Sequence, residues 1–256
     1  MTMRTYAMTG GATGIGAELK RQLLADGHTV ISVDIKEGDI IADLSTPEGR
    51  QAAIAGVQAL APDGLDGFIP CAGLPPVAKP LSLIAKVNYF AVVATVEGLR
   101  GLLEKKKGNV LFVSSNSAPM VPSDNPYVQL CLAGDEEGAC TEIDARDGHT
   151  AYAGSKRAVT IWMRRHVVEY AAAGVRLNAV APGITMTPLT DRVYADAELG
   201  QVMKDFGDMV PVGSTAQPAD IANVMRFMLS EEAKYVCGSV FFVDGGSDAM
   251  LRADDF

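Results

Sequence analysis

The stretch Thr9-Gly10-Gly11-Ala12-Thr13-Gly14-Ile15-Gly16 lies between an apolar run that reads as a strand and a segment of helical period beginning at Gly14. No other part of the sequence restricts the fold as much. A strand, a glycine-rich turn and a helix in direct succession open a βαβ unit. Glycine at positions 10, 14 and 16 lets the backbone turn sharply and approach a pyrophosphate, to which the helix N-terminus offers unpaired N–H groups. Thr13 and Ile15 stand among those groups. The spacing G-x-x-x-G-x-G differs from the G-x-G-x-x-G of other dinucleotide-binding folds, so the position between strand and helix carries the reading.

The same rhythm continues along the chain. Short apolar runs at 5–9, 29–34, 40–42, 65–71, 109–115, 175–181 and 239–243 alternate with helical stretches near 14–26, 47–60, 84–104, 151–172 and 218–229. Most of the runs are continuously apolar, as strands covered on both faces must be. The expected fold is α/β: a single Rossmann-type domain over residues 1–256, with a doubly wound parallel sheet and helices on both faces. Two connections break the rhythm. Between Gly73 and Asn88 three prolines leave no room for a full helix, whereas 116–150 is a long insertion ahead of the helix expected near Ala151. Structureless loops of that length are rare in compact domains, so short helices are expected within it.

Charge and composition exclude several classes. With 31 acidic against 22 basic residues the net charge is -9, a poor match for nucleic acid or an anionic membrane surface. Lys105-Lys106-Lys107 fits a helix C-terminus, where cations are favoured. No run approaches 18 consecutive apolar residues, so no membrane partner is expected, and MTMRTYAMTGG lacks the apolar centre of a signal peptide. Cys71, Cys131, Cys140 and Cys237 are scattered without the spacing of a metal site. No metal is expected, and free thiols point to a reducing, cytoplasmic setting.

Asp34 closes the second strand, 18 residues beyond Gly16, and Ile35 follows it. A carboxylate there accepts the hydroxyls of an adenosine ribose and repels a 2′-phosphate. NAD is therefore expected rather than NADP, although the nearby Lys36 could reach a phosphate. Asp43-Leu44, after the short third strand, are placed to border the adenine. Tyr152-Ala-Gly-Ser-Lys156 sets a phenol and an ammonium on one face of a helix. A free tyrosine has a pKa of about 10, and a neighbouring cation shifts it toward a working range for acid/base chemistry. The spacing alone is common. Its weight comes from lying downstream of a nucleotide loop and of a strand ending in Ser114-Ser115.

Together these residues resemble the short-chain dehydrogenase/reductase family over essentially the whole chain. The likeness covers the glycine loop, Cys71-Ala72-Gly73, Asn88, Ser115, Tyr152 with Lys156, Pro182-Gly183 and Asp244-Gly245-Gly246. It implies hydride transfer between a nicotinamide and a carbonyl carbon. In that scheme Ser115, or alternatively Ser114, polarises the carbonyl and Tyr152 exchanges the proton. Lys156 binds the nicotinamide ribose and lowers the tyrosine pKa, and Asn88 holds a water in a relay with the lysine. Pro182-Gly183-Ile184 and Thr187 resemble the segment that holds the nicotinamide carboxamide. Where the family usually reads Asn-Asn-Ala-Gly, this chain has Pro70-Cys71-Ala72-Gly73; that segment steadies the sheet and passes near adenosine.

Ala42-Asp43-Leu44-Ser45-Thr46, Val87-Asn88-Tyr89-Phe90, Ala151-Tyr152-Ala153-Gly154-Ser155-Lys156 and the tail 248–256 are similar to a bacterial subgroup of the family, the 3α-hydroxysteroid dehydrogenase/carbonyl reductases. In that subgroup the insertion alters helix-to-helix assembly, which implies a homodimer rather than a tetramer. The implied substrate is a small apolar alcohol or ketone, a 3α-hydroxysteroid or similar cyclic carbonyl compound; the coniferyl-alcohol dehydrogenases are the alternative. Segments 74–86, 116–150 and 184–210 are expected to line the substrate pocket. Pro75, Met120, Tyr127, Met186, Leu189, Val193, Tyr194 and Met203 would form an apolar wall there. His28, His149 and His166 read as structural or surface residues, and Trp162 as core. A redox-sensing regulator fits less well, since such proteins often lose the tyrosine or the lysine. So does a nucleotide-sugar epimerase, for whose usual C-terminal domain the ten residues after Gly246 are too few.

Overall fold

The computed structural model describes residues 3–255; Met1, Thr2 and Phe256, the ends of the expected 1–256 unit and of its C-terminal tail, lie outside the described residues. Seven strands form one sheet: β1 (Thr5–Thr9), β2 (Thr29–Asp34), β3 (Ile40–Ile41), β4 (Gly67–Pro70), β5 (Asn109–Val113), β6 (Arg176–Pro182) and β7 (Val240–Val243). Their order is β3-β2-β1-β4-β5-β6-β7, with every pairing parallel. Parallel neighbours need crossover connections, which helices supply. These are α1 (Gly14–Ala25), α2 (Pro47–Leu60), α3 (Ser82–Ala85), α4 (Ala91–Lys106), α5 (Pro126–Leu132), α6 (Glu136–Asp144), α7 (Gly148–Ala172), α8 (Pro188–Tyr194), α9 (Leu199–Asp208), α10 (Pro218–Leu229) and α11 (Ser247–Leu251).

α1 and α10 pack together on one face of the sheet, and α2, α4 and α7 cover the other. Strand side chains alternate between the two cores, as a pleated strand requires. Tyr6 and Met8 of β1 join Ile69, Leu111 and Val180 beneath α1 and α10, while Ala7 joins Phe68, Phe112 and Ala179 on the opposite side. This is the doubly wound sheet that the apolar rhythm predicts. All seven strands lie within two residues of their expected bounds.

The helices depart further from expectation. α3, a π turn at Lys86–Phe90 and α4 run on as one helix from Ser82 to Lys106. Within the π turn the Ala91 N–H donates to the Lys86 carbonyl, five residues back. By length and composition this helix could cross a membrane, with a mean hydropathy of 1.3, yet 61% of its apolar window is buried inside the protein. It packs on α2 and β4, so its apolarity belongs to the core. Lys105 and Lys106 occupy its last turn, and Lys107 ends it in a left-handed conformation.

The insertion 116–150 folds into a 3-10 turn (Ala118–Met120), α5 and α6, which pack on α7 and α3. α7 starts at Gly148, ahead of the expected Ala151, because the Asp147 carboxylate caps it by accepting from the Thr150 N–H at 2.8 Å. His149 therefore sits on the first turn of the helix that carries Tyr152.

Candidate active site

A cleft of about 870 Å³ runs along the C-terminal ends of the strands, where the sheet order reverses between β1 and β4. That crevice is where open α/β sheets bind their ligands. Gly10, Thr13, Gly14, Ile15, Gly16, Asp34, Ile35, Asp43, Leu44, Cys71, Ala72 and Gly73 line one branch. Ser115, Tyr152, Lys156, Pro182, Gly183, Ile184 and Thr187 line the remainder.

In the first branch the turn after β1 is closed tightly. A Cβ on Gly10 would lie 2.6 Å from the Ala72 main chain and one on Gly16 would lie 2.1 Å from the Gly10 carbonyl oxygen. Gly10 also has φ +71°, a conformation that favours glycine. Thr13, at the N-cap of α1, makes no side-chain capping bond, and the first turn of α1 holds no acidic residue. The first N–H groups of α1 thus face the cleft without an internal anion. At the end of β2 the Asp34 carboxylate accepts from the Ala12 and Lys36 N–H groups, each at 3.3 Å. The chain bends so that Ile35 and Asp43 are exposed and Leu44 is buried in the wall. A glycine cradle, a helix end without a side-chain cap and a carboxylate at the end of β2 form a donor and acceptor set that fits a dinucleotide.

In the second branch Ser115 follows β5, and Tyr152 and Lys156 occupy successive turns of α7. The Ser114 hydroxyl is turned toward α7, 2.7 Å from Thr160 Oγ1. Ser115 Oγ lies 2.9 Å from Ser117 Oγ, and Ser115 is near enough to the Tyr152 phenol to lower its pKa. Of the two serines, Ser115 is the one aimed at the tyrosine. Lys156 is buried; its Nζ donates to the Val113 carbonyl at 2.8 Å and lies 5.9 Å from the Tyr152 ring centre. Burial pushes the Lys156 ammonium down to about 8.

Tyr152 departs from expectation. Burial pushes its pKa up, and the neighbouring Ser115 hydroxyl opposes that shift without reversing it. The lysine is directed at a main-chain carbonyl rather than at the phenol oxygen, so desolvation dominates over the expected effect of a nearby cation.

Asn88 is fully buried and does not line the cleft. Its Oδ1 accepts from the Leu74 N–H at 2.7 Å, and its Nδ2 donates to the Leu74 carbonyl at 3.0 Å. The side chain thus clasps the main chain just behind Gly73. A Cβ built on Gly73 would lie 3.5 Å from Asn88 Oδ1 and 3.9 Å from Lys156 Nζ, so only one backbone layer separates the amide from the lysine.

The apolar wall is also revised. Pro75, Met120, Leu189, Val193 and Met203 line the cleft, whereas Tyr127, Met186 and Tyr194 do not. Tyr127 points from α5 into the core against Gly154 of α7. His149, expected from the sequence to be a structural or surface residue, lines the cleft, as does Arg192. Their signal was present in helical spacing: His149 is three residues before Tyr152, and Arg192 lies between Leu189 and Val193 at i+3. A second cavity of about 600 Å³, lined by Val210, Asp244 and Asp248 among others, shares Ile184 with the cleft but reaches neither Tyr152 nor Lys156.

Comparison with known proteins agrees with this geometry. Residues 4–127 match the model of the short chain dehydrogenase family, and residues 140–248 match that described as enoyl-(acyl carrier protein) reductase. The chain is 38% identical to a 3-alpha-hydroxysteroid dehydrogenase/carbonyl reductase of Comamonas testosteroni, covering 99% of this chain and 100% of the relative. It is 30% identical to a coniferyl-alcohol dehydrogenase of a Pseudomonas species, covering 96% and 97%. Among solved structures, the 3-alpha-hydroxysteroid dehydrogenase of a Pseudomonas species complexed with NADH superposes with a TM-score of 0.94 at 43% identity, covering 98% of this chain and 100% of that one. The chain belongs to the short-chain dehydrogenase/reductase family and is an oxidoreductase.

Proposed function

We propose that this enzyme uses NAD to interconvert a secondary alcohol and a ketone, acting on a 3α-hydroxysteroid or a similar apolar cyclic compound. One observation carries the reading: Ser115, Tyr152 and Lys156 meet in an apolar-walled branch of the cleft that also holds the glycine turn and Asp34. The likeness to a hydroxysteroid dehydrogenase, and to a second one in complex with NADH, supports it. A coniferyl-type aromatic alcohol is the second reading, supported by the 30% identical relative.

Gly10, Thr13, Gly14, Ile15 and Gly16 hold the pyrophosphate by main-chain N–H groups at the start of α1. Asp34 accepts the adenosine ribose hydroxyls, and its charge disfavours a 2′-phosphate, hence NAD over NADP. Ile35, Asp43 and Leu44 flank the adenine; Cys71, Ala72 and Gly73 pass along the cofactor. Pro182, Gly183, Ile184 and Thr187 orient the carboxamide. NAD supplies a hydride acceptor, and NADH the donor, at the nicotinamide ring. Ser115 Oγ and the Tyr152 hydroxyl hydrogen-bond the substrate oxygen and stabilise charge developing on it. In oxidation Tyr152 takes the alcohol proton; in reduction it returns one. Lys156 binds the nicotinamide ribose and brings a positive charge beside the phenol. Asn88 acts as a positioning residue through Leu74.

A homodimer is the assembly we favour, because α5 and α6 of the insertion cover part of α7 and α3 that would otherwise be open to another subunit. Four free cysteines, with Cys237 exposed, accord with the reducing cytoplasm. The test is NADH formation with NAD, and NADPH formation with NADP, over steroid, bile-acid, cyclic and phenylpropenyl alcohols. Turnover of steroid or cyclic secondary alcohols with NAD is the expected result. Activity confined to NADP overturns the role of Asp34, and activity confined to phenylpropenyl alcohols favours the second reading.

A further inference from the structure

We propose that Ser117 is a positioning residue for the reaction, whose hydroxyl donates to Ser115 Oγ and so commits the Ser115 proton to the substrate oxygen. The inference rests on the alcohol–ketone reading of this site and adds a residue to it.

The main chain around Ser115 is pinned on both sides. The Ser114 and Asn116 N–H groups donate to the Val180 and Pro182 carbonyls of β6 at 2.8 and 3.0 Å. The Ser115 carbonyl accepts from the Ala118 N–H at 3.1 Å. The chain then turns back on itself. The Ser117 N–H reaches Ser115 Oγ at 3.2 Å, and Ser117 Oγ lies 2.9 Å from the same atom. Among the described residues Ser117 Oγ makes no other hydrogen bond. Ser114 gives Ser115 no such contact, since its hydroxyl is paired with Thr160.

A hydroxyl oxygen holds one proton and two lone pairs. The Ser117 N–H occupies one lone pair of Ser115 Oγ. The contact between the two hydroxyls can run either way, and the chemistry decides its direction. A ketone oxygen carries no proton, so Ser115 binds it only as a donor. In the reverse direction the alcohol proton goes to Tyr152, and the oxygen it leaves again needs a donor. Ser115 is also near enough to the Tyr152 phenol to lower its pKa, which a hydroxyl does by donating to the phenolate. The single Ser115 proton is thus used toward the cleft, and its second lone pair is open to Ser117. The two protons then run one way, from Ser117 to Ser115 to substrate. Accepting two hydrogen bonds makes the Ser115 hydroxyl a stronger donor. The opposite sense would turn its proton away from the substrate.

The test compares Ser117→Ala, Ser117→Thr and Ser117→Val with the wild-type enzyme at saturating NAD, using steroid and cyclic secondary alcohols. Every variant keeps the main-chain N–H that bonds Ser115, and threonine and valine differ in little but the hydroxyl. In Ser117→Ala and Ser117→Val kcat should fall by about threefold to tenfold, the net worth of one neutral hydrogen bond. Ser117→Thr should restore most of that loss, and the KM for NAD should not move. A kcat that is unchanged or higher in Ser117→Ala overturns the proposal, because the wild-type Ser115 proton would then be aimed at Ser117. A loss confined to the KM for the alcohol also overturns it, since Ser117 would be a substrate contact. So does a loss that threonine fails to restore. Should no alcohol be oxidised, the alcohol reading fails separately, and the Tyr152 phenol then decides the hydrogen-bond direction. Its ionisation is followed by near-ultraviolet phenolate absorbance, each protein being compared with its own Tyr152→Phe counterpart. The other titratable groups on this side of the cleft are Lys156 and His149 on α7, Cys71 after β4 and Arg192 on α8, and they are common to all variants. A Tyr152 pKa that rises in Ser117→Ala and returns in Ser117→Thr upholds the proposal. One that stays equal or falls overturns it.

Discussion

Arg50 and Glu136, 86 residues apart, form a two-pronged ion pair with N–O distances of 2.7 and 2.8 Å. The buried Arg50 also donates from Nε to the Leu44 carbonyl at 2.9 Å and from Nη2 to the Lys86 carbonyl at 3.2 Å. One guanidinium thus ties α6 of the insertion to the adenine wall and to the π turn that carries Asn88. Removing it leaves a carboxylate and two carbonyls short of a donor. Arg50→Gln is expected to lower the unfolding free energy by about 2–3 kcal/mol, less than for a fully buried pair because Glu136 is partly exposed. Because Leu44 lines the nucleotide branch, the KM for NAD should rise several-fold while the KM for the alcohol moves less. Urea denaturation and initial rates check both. A loss of stability with an unchanged KM for NAD would show that the wall does not depend on Arg50.

Lys156 gives a pH signature. Burial holds it at about 8, against 10.5 for the ordinary lysine that the unfolded chain retains. Between those values the unfolded chain binds more protons, so the lysine's contribution to stability grows as pH rises and is lost as pH falls through about 8. Relative to Lys156→Met, the wild-type protein should gain about 1–3 kcal/mol of stability between neutral and strongly alkaline pH. A stability difference that stays flat with pH would mean the ammonium is well hydrated.

The residues of the nucleotide branch were legible because local geometry decides them. A glycine with positive φ, a helix starting without a cap and an acid closing a strand are each settled within a few neighbouring positions. Ser115 could not be separated from Ser114 in this way, since the choice depends on Thr160 of a distant helix taking one hydroxyl. Tyr127 and Met203 look alike in sequence, yet one faces α7 and the other the cleft. Asn88 had its place on the central helix but not its partner, because only the packed chain brings Leu74 to its amide. The upward shift of Tyr152 was likewise hidden, as it follows from burial and from where Lys156 points.

Asp34 should set cofactor choice. Its carboxylate is held by the Ala12 and Lys36 N–H groups at the cleft floor, where a 2′-phosphate would meet a like charge. Asp34→Ala removes both the ribose acceptor and the repulsion. The expected result is a fall of roughly 10- to 100-fold in kcat/KM for NAD, the loss of hydrogen bonds to a charged group. Activity with NADP should rise, aided by Lys36. Steady-state rates with both cofactors check this, and an unaltered preference would place selectivity elsewhere.

Tyr152→Phe separates chemistry from binding. The phenol is the one hydroxyl on α7 that both faces Ser115 and lines the cleft, and the ring itself needs no change to keep its packing. General acid/base groups contribute about 10²- to 10⁴-fold, so kcat should fall by that much. NADH affinity, followed by fluorescence titration, should change little, because the cofactor is held chiefly at the glycine turn and Asp34. Ser115→Ala should lose less, since Tyr152 still donates to the substrate oxygen. Because burial raises the Tyr152 pKa, alcohol oxidation should increase with pH while the phenol ionises, and Tyr152→Phe should abolish that rise. A variant that keeps both full turnover and the same pH dependence would assign the proton transfer to another group.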